Sequence, residues 1–255
     1  MRRRFVRLFV LLLLAAAPLG AAVTHHEFNS NGVPISYTDE GHGTPVVLIH
    51  GLTSSGDRNW RMPGTIQRLT PYYRVITIDV RGHGRSGKPE GESAYGVQLE
   101  EDVVRLLDHL HIRRAHVVGY SMGGMIAMKL LVLHPDRVQS ALLGGMGWLR
   151  QGSPLQDFWR NLPPPRGGGR GHASAVARSL GQLAVSEAEV RAIKLPVEVV
   201  AGDRDPVKRL YVDPLMTIRP DWPLVVIPDA GHITCVAKPQ FRDAVAAWLE
   251  RVARH

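Results

Sequence analysis

Gly119-Tyr120-Ser121-Met122-Gly123 is the stretch on which the reading of this chain turns. Before it runs Ala115-His116-Val117-Val118, a short apolar segment that reads as a buried strand; after it, Gly124–Leu131 reads as a helix. A Gly-x-Ser-x-Gly pentapeptide between a strand and a helix has the pattern of a nucleophile elbow. The sharp turn forces the serine into a strained backbone conformation and lifts its hydroxyl clear of the sheet. The flanking glycines leave room for strand and helix to approach closely. The turn also puts the Met122 N–H at a helix N-terminus, where it can meet a developing negative charge. Alone, the pentapeptide leaves open the alternative of a glycine-rich turn with an incidental serine.

Working outward, Phe28–Tyr37 reads as a hairpin turning at Asn31-Gly32, two residues that tolerate positive φ. Pro45–Ile49 is a continuous apolar run, as a strand buried on both faces requires, and it ends in His50-Gly51. Trp60–Leu69 is predicted helical, though interrupted by Pro63 and Gly64, and Tyr73–Asp79 is the next strand. Val97–Leu110 reads as an amphipathic helix whose stripe is Val97, Val103, Val104, Leu107 and Leu110. Pro135 closes the helix after Ser121. Val138–Leu143, Leu195–Ala201 and Leu224–Ile227 are further strands, and Phe241–Val252 is a closing helix. Strands alternating with helices predict an α/β fold, a doubly wound and mostly parallel sheet with a short antiparallel start. Such sheets place function at the carboxyl ends of their strands. His50-Gly51, Asp79, Ser121, Asp205 and His232 all follow predicted strands.

The alternation breaks at about 145–194, which reads as a small helical cap inserted over the sheet. It holds Trp148, Phe158 and Trp159, then the run Pro163–Gly171, taken as a loop, then a helix with a capping box at Ser186 and Glu189. Residues 1–22 have the form of a secretory signal, with Arg2–Arg7 as the positive segment, Leu8–Ala17 as the apolar one and small residues at Gly20, Ala21 and Ala22. Cleavage leaves residues 23–255 as one exported domain, periplasmic or extracellular; an uncleaved anchor is the alternative, and the only contact with a membrane that the sequence suggests.

The net charge of +8 is less telling than it looks. Setting Arg2, Arg3, Arg4 and Arg7 aside from the 31 basic residues leaves 27 against 23 acidic ones, scattered and without interleaved aromatics. That argues against a nucleic-acid partner. Cys235 is the one cysteine, so no intramolecular disulfide forms, and a small buried side chain is its expected role. No Cys/His cluster has zinc-ligand spacing, and no phosphate-binding loop is present, so no metal or cofactor is expected. Oligomeric state is not readable.

A serine hydroxyl needs a base, and the base needs an orienting acid. After Ser121, Val199–Val207 puts Asp203 and Asp205 in one loop, and Ile227–His232 ends the next strand and turn in a histidine. The order Ser, Asp, His is the one this elbow requires. In His50-Gly51, Asp79–Ser86, the elbow, Gly202-x-x-Asp205 and Gly231-His232, the chain resembles an α/β-hydrolase with a small cap, over roughly residues 28–252. The resemblance implies Ser121 as nucleophile, His232 as general base and then acid, and Asp205 as orienter. It also implies that the backbone N–H groups of Leu52 and Met122 hold the oxyanion. Asp203 is the rival acid, and Asp229 is read as a turn cap. The loop Gly144–Gly147 offers no carboxylate. His50 and His83 are read as shaping turns; His109, His111, His116 and His134 as surface or packing residues on or beside helices. Tyr120, Trp148, Phe158 and Trp159 are the candidate substrate contacts, with packing as the alternative for each.

The expected activity is that of a secreted serine esterase on a small-molecule or lipid-like ester. The elbow also resembles that of cofactor-free perhydrolases, and similar frameworks occur in enol-lactone and carbon–carbon bond hydrolases. Dehalogenases and epoxide hydrolases usually carry Asp where Ser121 stands. A non-catalytic binding protein on the same fold usually lacks one of the three side chains; none is missing here.

Overall fold

The computed structural model describes residues 23–163 and 171–254. The signal reading of residues 1–22 and most of the Pro163–Gly171 loop fall outside these residues. Eight strands form one sheet: β1 (His26–Ser30), β2 (Val33–Glu40), β3 (Thr44–Ile49), β4 (Tyr73–Ile78), β5 (Ala115–Tyr120), β6 (Val138–Gly144), β7 (Val197–Gly202) and β8 (Leu224–Ile227). Their order is β1-β2-β4-β3-β5-β6-β7-β8. β1 and β2 pair antiparallel, as do β2 and β4, and every pair from β4 onward is parallel. At the β1–β2 turn, Asn31 and Gly32 both have positive φ, 50° and 82°. That matches the twist of the strands it joins.

The continuous apolar runs are explained by cover on both faces. Val47 and Ile49 of β3 pack into one core, with α2 (Gln98–His109) and α3 (Met122–Leu133) above them; Val46 and Leu48 pack into the other, against α1 (Thr65–Leu69) and α9 (Pro239–Val252). Successive side chains of a strand point to opposite faces, so a strand covered twice must be apolar throughout.

Three local expectations are corrected. The helix predicted over Trp60–Leu69 is instead a π-helical turn at Asp57–Arg61 and the separate α1, split where Pro63 lacks an N–H and Gly64 takes φ 82°. Val97 is no part of the α2 stripe: the helix begins one residue later, and Val97 faces outward as its cap. The buried stripe is Leu99, Val103, Val104, Leu106 and Leu107, with Asp102 among them. That carboxylate is tolerated because Arg81 Nε donates to it at 2.6 Å and Ser30 Oγ at 2.6 Å. His116 lies on β5 itself, buried, with Nδ1 2.8 Å from Ser140 Oγ.

Between β6 and β7 the chain forms α4 (Pro154–Arg160), α5 (Gly171–Ser179), a 3-10 turn at Leu180–Leu183 and α6 (Glu187–Ala192). Ser186 and Glu189 cap α6 reciprocally, the Ser186 N–H donating to Glu189 Oε2 at 2.6 Å. The short α7 (Asp213–Ile218) and α8 (His232–Cys235) were not legible as helices in the sequence. Among the described residues no helix is long and apolar enough to cross a membrane.

Candidate active site

Ser121 sits between β5 and α3 with φ 54° and ψ −115°, a conformation that costs a non-glycine residue energy and persists only where its surroundings enforce it. They do so by contact. A Cβ on Gly119 would lie 2.1 Å from the Gly123 carbonyl oxygen, and one on Gly123 would lie 2.1 Å from the Ile49 carbonyl oxygen. The Ser121 N–H donates to Gly144 O at 2.8 Å, fixing the turn to the end of β6.

The side chains predicted to act together do meet. Ser121 Oγ lies 2.8 Å from His232 Nε2, and His232 Nδ1 lies 2.8 Å from Asp205 Oδ2. Asp205 follows β7 and is buried; its other oxygen accepts the Val207 N–H at 2.8 Å. A carboxylate held at both oxygens keeps the imidazole in one orientation and tautomer, leaving Nε2 to accept the serine proton. Asp203 does not reach His232. It accepts the Ala230 N–H at 3.1 Å, a bond that lowers its pKa and braces the turn before the histidine. Asp229 has φ 52° and pairs with Arg204 in that exposed turn.

Leu52 follows β3, and Met122 opens α3. Neither backbone N–H has an acceptor among the described residues, so both are free to meet an oxyanion. The Leu52 loop is held from below. Gly51 N–H donates to Asn59 Oδ1 at 2.8 Å. Buried His50 accepts the Val80 N–H on Nε2 at 3.0 Å, which leaves its Nδ1 proton to donate to Gly51 O at 2.7 Å. Burial lowers the pKa of His50, keeping it neutral. His83, edge-on to it at 5.2 Å, is lowered to about 4, chiefly by burial and then by His50. Both histidines shape turns here.

A cavity of about 580 Å³ opens over Ser121 and His232. Phe158 and Trp159 line it, together with Met125, Met146, Leu155 and Tyr211. Trp159 is anchored by its Nε1–H, which donates to the Tyr211 hydroxyl at 3.0 Å. The other two aromatic candidates are corrected. Trp148 is buried outside the cavity, donating to Val185 O at 2.8 Å, so it packs the inserted helices together. Tyr120 alternates to the face opposite the cavity; its hydroxyl donates to the His232 carbonyl oxygen and its ring stands 5.4 Å from Phe241. Met125, Met146 and Tyr211 were missed because nothing in their local sequence distinguishes a cavity wall from core.

Cys235 is buried and its thiol pushed up to about 11, first by burial, so it is no competing nucleophile at neutral pH. Among the described residues one trio with metal-ligating atoms within 4.8 Å of one another, Glu100, Glu101 and His134, lies on α2 and the end of α3, apart from the cavity. A larger cavity, about 1060 Å³, opens at the opposite end of the sheet beside Arg114 and Trp248 and touches none of Ser121, Asp205 or His232.

Residues 44–169 match the family model described as alpha/beta hydrolase fold. The chain is 39% identical over 111 residues to BpoC of Mycobacterium tuberculosis, provisionally assigned as a non-heme bromoperoxidase, covering 44% of this chain and 41% of that one. It is 34% identical over 131 residues to the 2-hydroxy-6-oxo-6-(2'-aminophenyl)hexa-2,4-dienoic acid hydrolase of Metapseudomonas resinovorans, covering 48% and 42%. The matched segments thus span less than half the length of these relatives. Among solved structures, a bacterial membrane phospholipase A aligns with TM-score 0.70 and 27% identity, covering 91% of this chain and 87% of its own.

Proposed function

The chain belongs to the α/β-hydrolase superfamily, and from that premise we propose that it is a serine hydrolase cleaving carboxylic esters through an acyl-enzyme. The observation that carries this reading is the unbroken relay of 2.8 Å contacts from Ser121 through His232 to Asp205, beside two free N–H groups and under an apolar cavity. Ser121 Oγ attacks the ester carbonyl as His232 Nε2 takes its proton. Asp205 stabilises the imidazolium that forms, and the N–H groups of Leu52 and Met122 hold the oxyanion. His232 then gives the proton to the departing alkoxide. Water, activated by the same nitrogen, releases the acid and restores the serine. The apolar cavity suits an acyl chain or aryl group of moderate size, and the resemblance to a phospholipase A agrees with an ester substrate.

The test is hydrolysis of 4-nitrophenyl butyrate by the wild type and by Ser121→Ala. We expect a loss of at least about 10³-fold in kcat with the variant still folded; equal rates would remove Ser121 as nucleophile. A second reading rests on the relatives. BpoC favours capture of the acyl-enzyme by hydrogen peroxide instead of water, and the dienoic acid hydrolase favours cleavage of a carbon–carbon bond. Peracid formation in acetate with peroxide separates the first. Export directed by residues 1–22 belongs to the same proposal.

A further inference from the structure

Two cavities meet at Leu52 and Thr53, the loop that carries one of the two free N–H groups. The first is the apolar cavity over Ser121. The second, about 690 Å³, shares Leu52 and Thr53 and continues along Ser54, Ser55, Arg58 and Lys88. The two cavities thus adjoin at the loop that holds the carbonyl, within reach of its two substituents.

The second cavity has a different chemistry from the first. Arg58, Lys88 and four hydroxyls, those of Thr53, Ser54, Ser55 and Ser174, line it, and among the described residues no aspartate or glutamate does. The neighbouring acid is already taken, because Asp57 accepts from Arg61 at 2.8 Å and from Arg85 at 3.1 Å. Arg58 and Lys88 have no carboxylate partner among the described residues. Lys88 Nζ donates only to the carbonyl oxygens of Gly84 and Ser86, at 2.8 and 2.9 Å, which places the ammonium without neutralising it. By contrast, other cations are neutralised by carboxylates: Arg61 by Glu40, Arg74 by Asp39, Arg137 by Asp108. Two unpaired ones lining one cavity beside the reacting centre attract an anion.

We propose that the second cavity is an anion subsite, and that the preferred substrates are esters carrying a carboxylate on one side of the reacting carbonyl. The apolar side occupies the cavity over Ser121, and the carboxylate lies against Arg58 and Lys88. This rests on the ester-hydrolase reading above. Both cations are solvent-exposed, so their pull is moderate and weakens with salt.

The test compares 4-nitrophenyl hydrogen adipate with 4-nitrophenyl hexanoate, acyl chains of matched length ending in a carboxylate or a methyl group. In the wild type at low salt the ratio of their kcat/KM values should favour the adipate. In the double variant Arg58→Gln/Lys88→Gln that ratio should fall about tenfold, and high salt should lower it in the wild type alone. The same ratio in both proteins overturns the subsite. Binding of monomethyl adipate and methyl hexanoate to Ser121→Ala, with and without the two substitutions, is followed by calorimetry. If neither 4-nitrophenyl ester is cleaved but monomethyl adipate binds in a manner dependent on Arg58 and Lys88, the subsite stands and the ester chemistry fails. Cleavage of the hexanoate that depends on Ser121, with no advantage for either adipate, sinks the subsite alone.

Discussion

Tyr120 shows how a residue beside the nucleophile acts without touching the cavity. Its hydroxyl donates to the backbone oxygen of His232, and its ring lies 5.7 Å from the imidazole, so it holds the histidine from beneath. Burial raises its pKa, so it remains a neutral donor. Tyr120→Phe removes one buried hydrogen bond and keeps the ring, at a cost of about 1 kcal/mol of stability. As a positioning residue it should affect the chemical step more than binding. Steady-state kinetics are expected to show kcat lowered roughly three- to tenfold with KM within twofold. A change in KM alone would make it a substrate contact after all.

At the scale of elements, the elbow works because β3, β5 and α3 are too close for any side chain between them. Gly123 sits against the carbonyl oxygens of Ile49 and His50, where an added Cβ would lie 2.1 and 2.9 Å away. These are backbone atoms, so they cannot rotate aside, and Gly123→Ala must displace α3 from β3. The Met122 N–H and the Ser121 hydroxyl move with it. The expected outcome is a fall in kcat/KM of at least about 10²-fold, since misplacement by an ångström costs that much. Thermal denaturation should show a lowered midpoint in the same variant. The alternation of strands and helices, the turn at Asn31-Gly32 and the cap at Ser186 were legible because each rests on the period or conformation of neighbouring residues. The extent of α1 and the turns around α7 were not, because tertiary packing decides such short helices.

Across the whole molecule, burial of titratable groups ties stability to pH. His83 and His116 are each lowered to about 4 by burial, and His50 is lowered as well. Below the ordinary histidine pKa of about 6.5 the unfolded chain binds protons that the folded chain refuses. The stability these groups contribute is therefore full above about pH 6.5 and is lost as pH falls toward 4. His116 is remote from the cavity, and its shift corresponds to about 3 kcal/mol across that window. His116→Gln should flatten the dependence of the urea midpoint on pH between 6.5 and 4; an unchanged slope would mean that the imidazole titrates normally. By itself the sequence determined the doubly covered sheet, the elbow and the strand ends that carry Ser121, Asp205 and His232, because hydrophobic period and backbone strain are written within a few neighbouring residues. Only the tertiary structure decided that Asp205 rather than Asp203 faces His232, that Phe158 and Trp159 rather than Tyr120 and Trp148 wall the cavity, and that Arg58 and Lys88 share a second one. Those choices depend on where side chains from distant segments point once the layers have packed, a quantity that no local pattern encodes.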